Sequence, residues 1–100
     1  MTAPYRYVPS SVSEIIDFLG YMVLRAPDNF PEGETLDKEY DLLFECLGIV
    51  RKRIGEARYD KLIDMAQRSK QLFVDGNNRA ARTMLANMEK VVAGREPKYE

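Results

Sequence analysis

The chain has 100 residues, of which 45% are hydrophobic and 31% are charged, and its formal net charge at pH 7 is −1. These values are typical of one folded domain with a modest core, and they exclude a protein that binds polyanions through its bulk charge. The chain has no histidine and one cysteine, Cys46. It therefore lacks the usual general base at neutral pH and cannot form an internal disulfide.

The first ten residues, MTAPYRYVPS, contain two prolines and no helical period. We predict an extended arm over residues 1–10. This segment also lacks the basic start and the apolar run of a secretion signal. The longest near-apolar stretch, IIDFLGYMVL, contains an aspartate and is too short to span a bilayer. We therefore expect a soluble, cytoplasmic protein that does not use a membrane.

The spacing of apolar residues predicts four helices. The first begins at a Ser11 cap and ends near Arg25, before Pro27. The second begins after Thr35 and continues to Gly55. Its apolar residues alternate steps of four and three, which indicates one packed seam over the whole length. These residues are Leu36, Tyr40, Leu43, Leu47, Val50 and Ile54.

The third predicted helix runs from about Glu56 to Val74, and the fourth follows the turn DGNN and closes at Gly94. The connections after helices two and three are short, so neighbouring helices should run antiparallel. We predict an all-α fold, a compact four-helix bundle-like domain over residues 11–94 with helices 2–4 antiparallel. Residues 95–100 are predicted to be a polar tail.

Two pairs of acids have the spacing of neighbours on one helix face: Asp37 with Asp41, and Asp60 with Asp64. We interpret both as solvent-facing charges, because glycosidase carboxyls must face each other across a cleft. We expect Cys46 to be a small buried side chain. The chain has no Glu-x-x-His pair, calcium loop or glycine-rich phosphate loop. We therefore expect no enzymatic activity, no cofactor and no metal site.

Charge is distributed unevenly along the chain. Residues 28–45 contain seven acids and one lysine, a net charge of −6, whereas residues 51–98 contain twelve lysines and arginines and six acids, a net charge of +6. Within the acidic half, Asp37, Asp41 and Glu45 recur every four residues, so they lie on one helix face, which we call the acidic stripe. Like charges at this spacing destabilise a helix by about 0.2–0.5 kcal/mol per pair, so helix stability alone does not explain them.

Two interpretations of the acidic stripe follow from the sequence. Basic residues of the later helices can fold back and neutralise it within the domain. Alternatively, the stripe and the acidic loop before it dock a basic partner, because charge complementarity speeds association and supplies specificity. The sequence leaves both open.

Residues 59–92, YDKLIDMAQRSKQLFVDGNNRAARTMLANMEKVV, resemble a tetratricopeptide-type helical hairpin. The first helix ends in LFVDGN, and the small residues Ala80 and Ala81 lie early in the second. The resemblance covers about a third of the chain. The family's aromatic and proline marks are mostly absent, and its repeats normally stack in series. We interpret it as the general pattern of a helix pair.

The whole chain, a lone helical domain with the acidic segment FPEGETLDKEYDLL, resembles the small helical immunity proteins of bacterial toxin systems. That resemblance implies a soluble, cytoplasmic, non-enzymatic protein that neutralises a cognate toxin by covering its active site with an acidic surface. Basic residues of the toxin would be the counterparts of the carboxylates, and an aromatic residue of the loop would be the apolar anchor. The expected binding residues are Phe30, Glu32, Glu34, Asp37, Asp41 and Glu45.

Other functions are compatible with the sequence. A helical adaptor or chaperone would grip a peptide in a groove lined by Met84 and Met88. A nucleic-acid-binding regulator would use the basic half as one patch, but no aromatic residue is interleaved with RKR at 51–53 to stack on bases. The wide apolar face of the first helix also leaves a homodimer open.

Overall fold

The computed structural model describes residues 8–94, so most of the predicted arm and all of the predicted tail lie outside the described residues. The described residues form helices without a strand, which confirms the all-α prediction. The Cα radius of gyration is 13.1 Å, close to the value of about 13 Å expected for a compact chain of this length. The helices are α1 (Val12–Arg25), α2 (Leu36–Ile49), α3 (Arg51–Ile54), α4 (Glu56–Val74) and α5 (Asn78–Ala93).

Two of the four predicted helix starts are capped by the residues expected there. Ser11 Oγ accepts a hydrogen bond from the Glu14 N–H at 3.2 Å, and Glu14 Oε1 in turn accepts one from the Ser10 N–H at 2.9 Å. Thr35 Oγ1 accepts from the Lys38 N–H at 3.2 Å. These bonds satisfy backbone donors that have no partner inside the first turn of a helix.

The second predicted helix is divided into two helices, which corrects the expectation of one helix up to Gly55. The division falls at Val50, whose φ of −95° and ψ of 7° lie outside the ideal helix. The division follows a run of poor helix formers. Glycine and the β-branched isoleucine and valine have lower helix propensity than the leucines before them, and they occupy positions 48, 49 and 50. The apolar period continues through the bend, so it could not reveal the break.

Side-chain contacts locate the helices relative to one another. Lys70 and Ser69, late in α4, contact Asp37 and Tyr40, early in α2. A short turn connects the end of α4 to the start of α5, and Arg58 near the start of α4 lies against Gly94 after the end of α5, so α4 and α5 are antiparallel. The most extensive helix contacts are those of α5 with α4 and with α1.

The predicted seam of the second helix is buried. Tyr40, Leu43 and Leu47 have no exposed surface, and Val50 and Ile54 are buried as well. The outlying member, Leu36, is half-buried against the core. From α1, α4 and α5 the core receives Ile15, Phe18, Leu19, Met22, Leu62, Ala66, Phe73, Ala81, Leu85, Met88, Val91 and Val92.

Truncating the buried seam of α2 should strongly destabilise the domain. We expect Leu43→Ala and Leu47→Ala each to lower the free energy of unfolding by about 2–5 kcal/mol, because each leaves a cavity in a packed core. Urea unfolding followed by circular dichroism measures this. Leu24→Ala is the control, since Leu24 is 78% exposed and should change stability by less than about 0.5 kcal/mol. A Leu43→Ala value equal to that control would contradict the packing of α2.

Candidate functional site

The acidic stripe faces solvent. Asp37, Asp41 and Glu45 are all exposed on α2. The opposite face of the same helix is the buried seam, so the rotation of α2 places the three carboxylates outward. The structure thus brings together on one surface three of the six residues expected to bind a partner.

Only part of the stripe is neutralised within the domain. Lys70 Nζ on α4 lies 2.9 Å from Asp37 Oδ1. Within residues 8–94, Asp41 and Glu45 form neither an ion pair nor a side-chain hydrogen bond. The two interpretations of the stripe therefore apply to different residues: internal pairing holds for Asp37, and two carboxylates remain directed to solvent.

The loop before α2 is fastened to the body of the protein. The Phe30 ring is half-buried against the core, with its centroid 6.1 Å from that of Tyr21. Lys38 Nζ donates to the Gly33 carbonyl at 2.8 Å, which closes the loop onto the first turn of α2. Phe30 therefore holds the loop in place, and little of its ring is left to anchor a partner.

The two loop carboxylates differ in their exposure. Glu32 is exposed, whereas Glu34 is half-buried and already engaged in an interaction. Of the predicted loop acids, Glu32 is thus the more exposed one.

Glu39 has a role that the sequence did not suggest. Its side chain is fully buried, and Tyr21 Oη donates a hydrogen bond of 3.0 Å to its Oε2. The signal was present in the spacing, because Glu39 precedes Leu43 by four residues and Cys46 by seven. That spacing places it on the buried face of α2.

A second buried polar contact joins α2 to α4. Tyr40 Oη and Ser69 Oγ are 2.6 Å apart, and both side chains are fully buried. Ser69 Oγ donates to the Ala66 carbonyl at 3.0 Å, so the Tyr40 hydroxyl is the donor to Ser69. Burial raises the pKa of Tyr40 to about 12, partly offset by the hydrogen bond to Ser69, so the hydroxyl stays protonated.

Cys46 lies in the core, as predicted. It has no exposed surface, and its Sγ–H donates to the Leu43 carbonyl at 3.3 Å. Burial raises the pKa of the thiol to about 12. The nucleophilic form of cysteine is the thiolate, so this side chain is poorly suited to covalent chemistry.

The exposed face of α2 continues past the stripe. Gly48 is exposed, and Ile49, a large apolar side chain, is 50% exposed. Lys52 and Arg53 follow on α3 and are exposed as well. We call Glu45, Gly48, Ile49, Lys52 and Arg53 the α2–α3 face; the sequence analysis did not identify it.

Several basic residues are engaged with other parts of the protein. Arg51 forms two hydrogen bonds with Glu56, at 2.8 and 2.9 Å, and its guanidinium stacks 4.5 Å above the Tyr59 ring. This bonding lowers the pKa of the Glu56 carboxyl. Arg68 pairs with Asp64 at 2.9 Å. Asp64, which we expected to face solvent together with Asp60, therefore has an ion-pair partner.

The described part of the chain gives little support to the two alternative functions, peptide binding in a groove and nucleic-acid binding by a basic patch. Met88 has no exposed surface and Met84 is half-buried, so the pair expected to line a peptide groove belongs largely to the core. Arg82, another cation of the basic half, donates to the Ala26 carbonyl at 3.0 Å.

Over residues 8–94, no cluster of three or more acidic or cysteine side chains is arranged to hold a metal ion. In the same range, no helix has the length and apolar character needed to cross a membrane.

No protein-family model, no curated protein and no solved structure shows a significant match to the chain. The assignment of a function therefore depends on the geometry of the α2 surface.

Neutralising the two unpaired carboxylates should not harm the fold. For the double variant Asp41→Asn/Glu45→Gln we expect the free energy of unfolding to stay unchanged or to rise by about 0.2–1 kcal/mol, because repulsion along the stripe is removed. Asp37→Asn should instead lower it by up to about 1 kcal/mol, since it breaks the surface ion pair with Lys70. Thermal and urea unfolding measure both effects. A loss of more than about 2 kcal/mol in the double variant would show that these carboxylates hold the domain together.

The thiol of Cys46 should be inert in the folded protein. With a pKa of about 12, only about one molecule in ten thousand carries the thiolate at pH 8. We expect an aromatic disulfide reagent to modify the native protein only as fast as it unfolds, and to modify the urea-unfolded chain at once. Rapid modification of the native protein at pH 8 would contradict the burial of this side chain.

Proposed function

We propose that this protein is a non-enzymatic, cytoplasmic protein-binding domain of the immunity type. In this proposal a four-helix bundle-like scaffold presents an acidic surface that covers the active site of a cognate bacterial toxin. The observation that carries it is the pair Asp41 and Glu45, two exposed carboxylates on one face of α2 that form no ion pair or side-chain hydrogen bond within residues 8–94.

A like-charged stripe lowers helix stability, so its presence is better explained by use than by folding. The buried face of α2 holds the helix firmly, and the carboxylates on its other face are fixed relative to one another one turn apart. Such a preorganised acidic row attracts a basic surface over a distance, raises the association rate and selects against acidic partners. Lysines or arginines that bind a phosphate-bearing substrate in a toxin would provide a surface of this kind.

The predicted residues have different parts in this proposal. Asp41 and Glu45 would make the direct ion pairs, with Glu32 at the edge of the same surface. Asp37 would have to share Lys70 or release it, which makes its net contribution smaller. Phe30 would act indirectly by holding the loop, because its ring packs on Tyr21. Glu34, half-buried, would contribute to the shape of the loop.

Capture from a lysate of the native host, followed by kinetics with the purified partner, tests the proposal. The wild-type chain should capture one stoichiometric basic protein, and the purified pair should associate more slowly as salt rises. The variant Asp41→Asn/Glu45→Gln should associate at least about tenfold more slowly at low salt and lose most of the salt dependence. Adding the wild-type chain should abolish the partner's toxicity or catalytic activity at a ratio of one to one.

A matched control removes two carboxylates elsewhere. Asp17→Asn/Asp60→Asn removes the same number of negative charges, and so raises the net charge by the same amount, at exposed positions on α1 and α4. It should bind like the wild type. Equal loss in both double variants would indicate attraction by bulk charge and reject the α2 surface. A partner that keeps its activity when bound would reject inhibition as the function.

A further inference from the structure

The α2–α3 face carries charges of both signs in a fixed order. Glu45 lies at one end, Gly48 and Ile49 lie in the middle, and Lys52 and Arg53 lie at the other end. Ile49 is one of the few large apolar side chains in residues 8–94 with half or more of its surface exposed. Neither Glu45 nor the two cations form an ion pair or a side-chain hydrogen bond within the described residues.

Val50 connects the two parts of this face. Its N–H bonds to the Cys46 carbonyl of α2 at 3.3 Å, and its carbonyl accepts from the Ile54 N–H of α3 at 3.0 Å. Glu45 and Lys52 are seven residues apart, a separation that in a regular helix is two turns, or about 10 Å along the axis. Residues with this separation lie on nearly the same side of a helix.

We infer that the α2–α3 face is a self-complementary contact through which two copies of this chain form a weak homodimer. A twofold axis between Gly48 and Ile49 would set the two faces antiparallel. Glu45 of each copy then meets Lys52 of the second copy, twice by symmetry. Ile49 of each copy packs over Gly48 of the second copy, where the missing side chain admits a close approach. This is an isologous contact, in which one patch serves both subunits.

The charges of the α2–α3 face favour a second copy of the chain as the binding partner. A purely basic partner would match Glu45 and be repelled by Lys52 and Arg53. A surface with the order basic, apolar, acidic matches all of them, and the chain's own face has that order when it is turned around. The exposed apolar side chain lies at the centre, where a contact excludes water most effectively.

The contact is small, and this limits its strength. Two crossing helices bury less than the area of about 1,200–2,000 Å² found in stable complexes. We therefore expect a dissociation constant of about 10 µM to 1 mM, weaker than standard interfaces reach. Since the charges are exposed, the dimer should weaken as salt rises. The inference does not depend on the proposed function, although Glu45 takes part in both, so a basic partner and a second copy would compete for it.

Sedimentation equilibrium of the purified chain, from about 10 µM to 1 mM and at about 0.05 and 0.5 M salt, measures the dimer. The wild type should dimerise, and more strongly at low salt. Glu45→Lys and Lys52→Glu should each weaken the dimer at least about tenfold, because each places like charges opposite one another. An equimolar mixture of these two variants should dimerise about as well as the wild type, since each pair again joins opposite charges.

Restoration in the mixture separates a specific contact from unfolding or bulk-charge effects, and circular dichroism should show full helicity in each variant. Ile49→Ser should weaken the dimer about tenfold without changing its salt dependence, whereas Leu24→Ser, on α1, should leave it unchanged. A wild type that stays monomeric at about 1 mM, or a mixture no better than its components, would overturn the inference. Weakening by Leu24→Ser alone would overturn it too and place the contact on α1.

Discussion

The surface of this protein depends on how α2 is rotated about its own axis. Tyr40 is the largest fully buried side chain, and its hydroxyl needs a partner because a buried donor without one costs about 1–3 kcal/mol. Ser69 supplies that partner at 2.6 Å from α4, and its own proton is directed to the Ala66 carbonyl. With Leu43 and Leu47 buried on the same side, α2 has one orientation open to it. Asp41 and Glu45, on the other side of the helix, then face solvent.

That rotation divides the acidic run into three environments. Glu39 is carried into the interior, where Tyr21 donates to it. Asp37 reaches Lys70 at the edge of the α2–α4 contact. Asp41 and Glu45 are directed outward. Repulsion along the stripe, about 0.2–0.5 kcal/mol per pair, is small beside the free energy of one buried leucine, about 2–5 kcal/mol. The packed face can therefore hold an acidic face that an isolated helix of this sequence would resist.

The sequence predicted the local part of this arrangement well and the long-range part poorly. Helix starts at Ser11 and Thr35 follow from side chains that bond to their own first turn, so they can be recognised in the sequence. The seam of α2 follows from its period. The pairing of Asp37 with Lys70 joins residues far apart in the chain and depends on the final packing, so no local pattern reveals it. For Glu39 the residue type indicates exposure and the position indicates burial; the side chain is buried, where Tyr21 Oη donates a hydrogen bond to it.

The α2–α3 face shows why the order of charges matters more than their sum. Glu45 on α2 and Lys52 on α3 are seven residues apart, which corresponds to about 10 Å in a regular helix, and the Debye length at physiological salt is about 8 Å. Attraction between them within one chain is therefore largely screened, and neither neutralises the other. Each remains available to an opposite charge brought into direct contact. A partner that matches both must run in one direction along the helix, so the face selects the orientation of whatever binds it as well as its charge.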